Sequence, residues 1–154
     1  MTIQIDSREK ARAIEKIINT FEAEGIQYII SKLYVADYMI YGHPELVIDR
    51  KQNLGEICGN ICGPQHARFS TELKNAKAVG SKVIILIEDN SINDFEDVKK
   101  WSSKHTKVKG ETLYKAMKTM EEETDKYNVK FMFCKKEETG QKIIEILGGN
   151  TNGT

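Results

Sequence analysis

Five consecutive residues, Val83-Ile84-Ile85-Leu86-Ile87, constrain this chain more than any other segment. All are β-branched or Leu, so a strand made from them is apolar on both faces. Such a strand belongs in the middle of a sheet with helices covering both sides. The run is far too short to cross a bilayer, which takes about 20 apolar residues. The chain has 154 residues, 40% hydrophobic and 30% charged, which fits one soluble domain able to bury a core without staples. Its 3 cysteines are an odd number, which argues against a disulfide framework and for a reducing compartment. Met1 to Arg12 is charged almost from its start, unlike a secretory signal. We expect a cytoplasmic protein, nuclear if its host has a nucleus, with no membrane partner.

Other elements arrange themselves around that run. Thr2 to Asp6 alternates as a short strand, and from Arg8 the apolar residues Ile14, Ile17, Ile18 and Phe21 recur at helical spacing until Gly25. Strands are expected at Gln27–Leu33, Val35–Ile40 and Glu45–Lys51, with a turn at Gly42 to Pro44. Helices are expected at Asn53–Cys62, broken by Gly63 and Pro64, and at Gln65–Val79. Beyond the central run, Phe95–Trp101 reads as a partial helix. Glu111–Lys126 reads as a helix, Val129–Cys134 as a strand and Glu137–Leu147 as a closing helix. The order βα, strand meander, helix pair, βαβα predicts a mixed α/β sheet of about six strands flanked by helices on both faces. Residues 1–148 form the expected domain and 149–154 a flexible tail.

The chemistry concentrates around one turn. Asp37 and Asp49 sit on strands flanking it, so a hairpin brings the two acids together, and Lys51 projects from the same side as Asp49. Hard cations such as Mg2+ or Mn2+ take carboxylate oxygens and retain waters. A lysine beside them can orient a water or stabilise charge on a phosphate oxygen. Spacing alone also fits a solvated strand end with an ordinary Asp–Lys pair. A second acidic group, Asp6 and Glu9, reaches the same place if the first strand lies beside the meander. Asp6 or Ser7 equally suits an N-cap for the following helix.

Three segments together resemble the nuclease domain of the XPF family of structure-specific endonucleases, which includes the archaeal Hef nuclease. They are Ile5-Asp6-Ser7-Arg8-Glu9, Val35-Ala36-Asp37-Tyr38-Met39-Ile40 and Val47-Ile48-Asp49-Arg50-Lys51. In that family Asp-x-Arg-Glu is followed by Gly-Asp-Tyr and then by Glu-Arg-Lys with a downstream acid. His66-Ala67-Arg68-Phe69 and the central strand ending in Glu88 extend the likeness, which covers Ile3 to Glu88. The resemblance implies a restriction-endonuclease-like fold and Mg2+- or Mn2+-dependent cleavage of branched, flap or junction DNA, in repair or recombination. It implies Asp37, Asp49 and Lys51 as catalytic residues and Asp37, Asp49, Asp6 and Glu9 as metal ligands. It also implies Arg8, Arg50 and Arg68 as phosphate contacts. A stand-alone nuclease domain is expected, without the helix-hairpin-helix pair common in the family. It would act as a homodimer, with Ile143, Ile144, Ile146 and Leu147 in the interface, or be recruited by a DNA-binding partner.

The chain departs from the family pattern at three places. Asp49 replaces Glu, which keeps the charge. Ala36 replaces Gly, which suits ordinary extended backbone. Leu54 and Gly55 stand where the downstream acid belongs, with Glu56 the nearest substitute. A catalytically inactive DNA-binding or partner-binding module of the same fold is therefore the alternative. Net charge is zero, from 23 basic and 23 acidic residues, which argues against a protein that coats DNA. Cys58, Cys62 and His66 fall at four-residue steps, but the Gly63-Pro64 break makes buried thiols the simpler reading. Cys134 reads as core and His43 as a turn residue. The lysine-rich stretch Lys99–Lys109 around Trp101 reads as a solvated loop, with a DNA-contacting loop the lesser alternative.

Overall fold

In the computed structural model, residues 1–152 are described, with side chains through Gly149. Six strands form one sheet: β1 (Thr2–Ile5), β2 (Gln27–Ile30), β3 (Tyr38–Ile40), β4 (His43–Lys51), β5 (Lys82–Glu88) and β6 (Val129–Cys134). Their spatial order is β2-β1-β3-β4-β5-β6. Strand β3 runs antiparallel to both neighbours, while β4, β5 and β6 are parallel and β1 is parallel to β2. One reversed strand among parallel ones is the expected mixed sheet.

The apolar run lies in β5, paired on both sides by β4 and β6. Alternation along it splits the core in two. Val83, Ile85 and Ile87 face α2 (Leu54–Cys62), α3 (His66–Ala78) and α4 (Gly110–Glu122), packing on Ile57, Phe69, Leu113 and Met117. Ile84 and Leu86 face α1 (Ala11–Ala23) and α5 (Thr139–Asn152), packing with Ile14, Phe21, Ile143 and Leu147. Each such residue contributes about 1.5–3 kcal/mol by leaving water. The two helices of the second layer touch closely, because a Cβ on Gly140 would stand 2.7 Å from the Cβ of Thr20.

Several expected bounds shift. Residues 31–37 are loop, so the strands predicted at Gln27–Leu33 and Val35–Ile40 shorten to β2 and β3. Helix α5 continues to Asn152, so residues 149–152 of the expected tail are helical; 153–154 lie outside the described residues. Ile143 and Leu147 are fully buried, which removes them from any outer dimer surface. Ile144 and Ile146 pack partly buried against the same core. Among the described residues no helix is long and apolar enough to cross a membrane.

Candidate active site

Because β3 alone is reversed, its first residues meet the carboxyl ends of β1 and β4. The amide of Asp6 donates to the Asp37 carbonyl at 2.8 Å, and the amide of Asp37 donates to the Ile48 carbonyl at 2.8 Å. Asp37, Asp49 and Lys51 emerge there on one face. The Arg50 amide donates to Asp37 Oδ2 at 2.8 Å, fixing that carboxylate over β4. Lys51 Nζ stands 3.5 Å from Asp49 Oδ2 and 5.6 Å from the centre of the Phe69 ring.

Burial, then the adjacent charges of Asp49 and Glu9, push the Asp37 carboxyl up to about 8. The Arg50 amide opposes that rise, and the Asp37 and Asp49 carboxyls lie near enough to share a proton. Two half-dehydrated acids crowded together repel unless a proton or a cation sits between them. Among the described residues no three His, Cys, Asp or Glu side chains form a metal cage. The donor set of two carboxylates on an open strand end nevertheless suits Mg2+, which is commonly held by one or two carboxylates while keeping its waters.

The other expected ligands turn elsewhere. Asp6 Oδ1 accepts from the Leu33 amide at 2.9 Å and Oδ2 from Arg8 Nε at 2.8 Å. Asp6 thus ties down the 31–37 loop instead of capping α1, whose N-cap position is Lys10 without a side-chain bond. Glu9 Oε2 accepts from the Tyr38 hydroxyl at 2.7 Å and from Arg50 Nε at 2.9 Å. Glu56 accepts from the Gln52 amide at 3.2 Å, while its own amide donates to Asn53 Oδ1 at 2.9 Å. Asn53 therefore caps α2, and the Glu56 carboxylate turns back to the Gln52 amide before the cap.

Arg50 is the largest correction. Alternation sends its side chain to the face opposite Asp49 and Lys51, where it is 5% exposed between Glu9 and Glu88, themselves 12% and 11% exposed. Its Nη1 donates to Glu88 Oε1 at 2.8 Å, and Thr139 Oγ1 donates to the other oxygen of Glu88. A guanidinium so enclosed does not meet a phosphate; it fastens β4 and β5 to the turn after β1. The network of Tyr38, Glu9, Arg50, Glu88 and Thr139 escaped sequence reasoning. The only signal was the period of two along β4, which already put Arg50 on the far side.

Ala36 is the second correction. Its φ is +67°, the left-handed region that disfavours any side chain, rather than extended backbone. The glycine expected there has a steric reason, and Ala36 pays for lacking it.

Arg8 and Arg68 stay at the rim. Arg8 holds Asp6 and the Leu33 carbonyl yet is 61% exposed, and Arg68 is 81% exposed beside Glu72 at 3.2 Å. A groove of about 350 Å³ leads from Lys51 past Asn60 and Phe69 to Arg68. Cys58 is buried and Cys62 exposed, both on α2, and Cys134 is buried 3.6 Å from the Thr139 hydroxyl. His43 opens β4 and pairs with Glu45 at 3.1 Å.

The sheet, with one reversed strand and a crowded acid pair plus lysine at its carboxyl ends, defines an α/β domain built around a polar site. The chain belongs to the ERCC4 domain family, whose model matches residues 5–146. Among solved structures, XPF from Aeropyrum pernix has the same fold, with a TM-score of 0.69 at 18% identity. That match covers 100% of this chain and 64% of the Aeropyrum pernix chain. A search of curated proteins returns no match.

Proposed function

We propose that the chain is an endonuclease that hydrolyses a phosphodiester in branched DNA, using Mg2+ or Mn2+ held by Asp37 and Asp49. The observation that carries this reading is the acid pair itself: burial and the charges of Asp49 and Glu9 push the Asp37 carboxyl up, with the Arg50 amide opposing, while Lys51 pairs with Asp49 at 3.5 Å. Bound there, a hard divalent cation supplies the missing positive charge and Lewis acidity toward a phosphate. The chain supplies the rest. The Arg50 amide fixes the Asp37 carboxylate, and Asp49 holds Lys51 at the mouth of the groove. From there the ammonium stabilises charge gathering on phosphate oxygens. Arg8 and Arg68, both exposed, bind the flanking backbone without reading bases.

One observation favours the alternative of an inactive DNA- or partner-binding module. Leu54 is fully buried and the Glu56 carboxylate holds the Gln52 amide, so no acid from α2 joins the pair. A dimer or a DNA-binding partner, a role in repair or recombination and a cytoplasmic or nuclear location belong to the nuclease reading.

The deciding experiment is cleavage of labelled flaps, forks, junctions and plain duplex with each metal, comparing wild type with Lys51→Ala. The expected loss is about two or more orders of magnitude in rate with DNA binding kept. Equal turnover in the variant would make Lys51 a surface charge. No cutting of any substrate by the wild type, with binding retained, would establish the inactive module.

A further inference from the structure

Helix α2 has a groove on each side. Glu56 and Asn60 line the one leading from Lys51. Gly55, Cys58, Gly59 and Cys62 line a larger one, of about 600 Å³, closed opposite by Trp101 and Thr106. The larger groove begins at Asn53, two residues beyond Lys51 and therefore no more than about 7 Å from it along the chain. It runs along α2, a helix of 9 residues, for about 14 Å.

The far wall is built, not loose. The amide of Gly110 donates to the Trp101 carbonyl at 3.1 Å and closes the base of the loop. A Cβ on Gly110 would stand 2.3 Å from the Val98 carbonyl oxygen, so only glycine permits that closure. Within the loop the Val108 amide donates to Thr106 Oγ1 at 3.2 Å, and Thr106 faces the groove opposite Cys58. Residues 99–109 contain five lysines and no acid, in a chain whose net charge is zero. Lys99 is held by Glu96 at 2.7 Å, whereas Lys104 and Lys107 are exposed. One wall carries Trp101 and His105 and belongs to a lysine-rich loop, and the α2 wall has the small residues Gly55, Gly59 and Cys62. A single strand uses such a surface, since bases stack on aromatic rings while phosphates take the charge.

We propose that this second groove holds the single-stranded arm of the substrate, with a base stacked on Trp101 and phosphates against Lys104 and Lys107. The inference rests on the nuclease reading for its substrate and extends it, giving the protein a physical means of telling a single-stranded arm from duplex. The occupant is a nucleic-acid strand rather than a second copy of the chain, because the loop that forms the far wall carries five lysines and no acid while the chain as a whole is neutral.

Trp101 is the only tryptophan, so its emission reports on the groove directly. The test titrates the protein with oligothymidylate and with blunt duplex in a metal chelator, following tryptophan emission and the anisotropy of labelled DNA. Oligothymidylate should quench Trp101 and blunt duplex should not. Trp101→Leu should bind the single strand about 5- to 100-fold more weakly, and Trp101→Phe should restore most of the loss. Gly59→Leu should block the groove while leaving Trp101 in place and duplex binding unchanged. A Cβ at Gly59 meets nothing within 4 Å and leucine favours a helix, so this variant decides the matter even if Trp101→Leu fails to fold.

Anisotropy reporting tight single-strand binding with unquenched emission would overturn the proposal, as would a Gly59→Leu protein that binds the strand normally. Emission that follows protein concentration instead of DNA would mark a self-association face and also overturn it. Quenching by a protein that cuts nothing would leave this groove standing while removing the nuclease reading. Cutting by a protein whose Trp101 never quenches would do the reverse.

Discussion

Replacing Asp37 by Asn should make the metal-free protein more stable in mild alkali, although Asp37 is the best-placed acid of the site. Its carboxyl is pushed up to about 8 by burial and by the charges of Asp49 and Glu9. Between the ordinary value of an aspartate and that one, the folded chain keeps a proton that the unfolded chain has lost. Stability therefore falls as pH rises through this window, by at most about 1.4 kcal/mol per pH unit. From about pH 6 to about pH 8 the wild type should lose up to roughly 2–3 kcal/mol. Asn cannot ionise, and its carbonyl can still accept the Arg50 amide that now bonds Asp37 Oδ2. For a chain of this size the difference is about 5–10 °C in Tm. Thermal melts of both proteins in chelator, at several pH values, measure it. Adding Mg2+ or Mn2+ should raise the wild-type Tm most at high pH, where the pair is ionised, and the variant's very little. Parallel loss of stability with pH in both proteins would refute the reasoning, because it would mean that Asp37 is already comfortably charged.

Three further outcomes follow from named contacts. Ala36→Gly should stabilise the fold by about 0.5–1 kcal/mol, read from denaturant unfolding, because it relieves a left-handed alanine. Arg50→Met should destabilise by about 3–5 kcal/mol, read from denaturant unfolding, by leaving Glu9 and Glu88 buried without a counter-charge. Arg68→Ala should weaken DNA binding equally across sequences and reduce the salt-dependence slope by roughly one, measured by anisotropy at several salt concentrations.

The sheet was legible where one physical signal dominated. The apolar run of β5 and the alternation of β6 need no context, and Val129–Cys134 is found at the expected bounds. The segment 31–37 was less legible. It looks extended and apolar, yet the loop is held by tertiary bonds, the Leu33 amide on Asp6 and the Ser31 and Lys32 carbonyls on Gln4. No local pattern announces such bonds. The last turns of α5 were missed because Gly148 and Gly149 read as a helix end.

The candidate site divides in the same way, along the two faces of β4. Asp49 and Lys51 were legible because period-two alternation alone pairs them, and Asp37 because a hairpin returns it to that face. Arg50 was misassigned by carrying a motif over residue by residue without applying the same alternation to its middle member. The backbone of Arg50 serves one face, donating to Asp37, while its side chain serves the other, bridging Glu9 and Glu88. The run Asp49-Arg50-Lys51 thus joins the face of the acid pair to a clamp beneath it. The clamp keeps β4, β5 and the turn after β1 in register, so that two acids can be held closer than their charges favour. On this argument a change at Arg50 harms the acid pair through the backbone, and a basic residue beside a lysine can be indispensable without ever touching DNA.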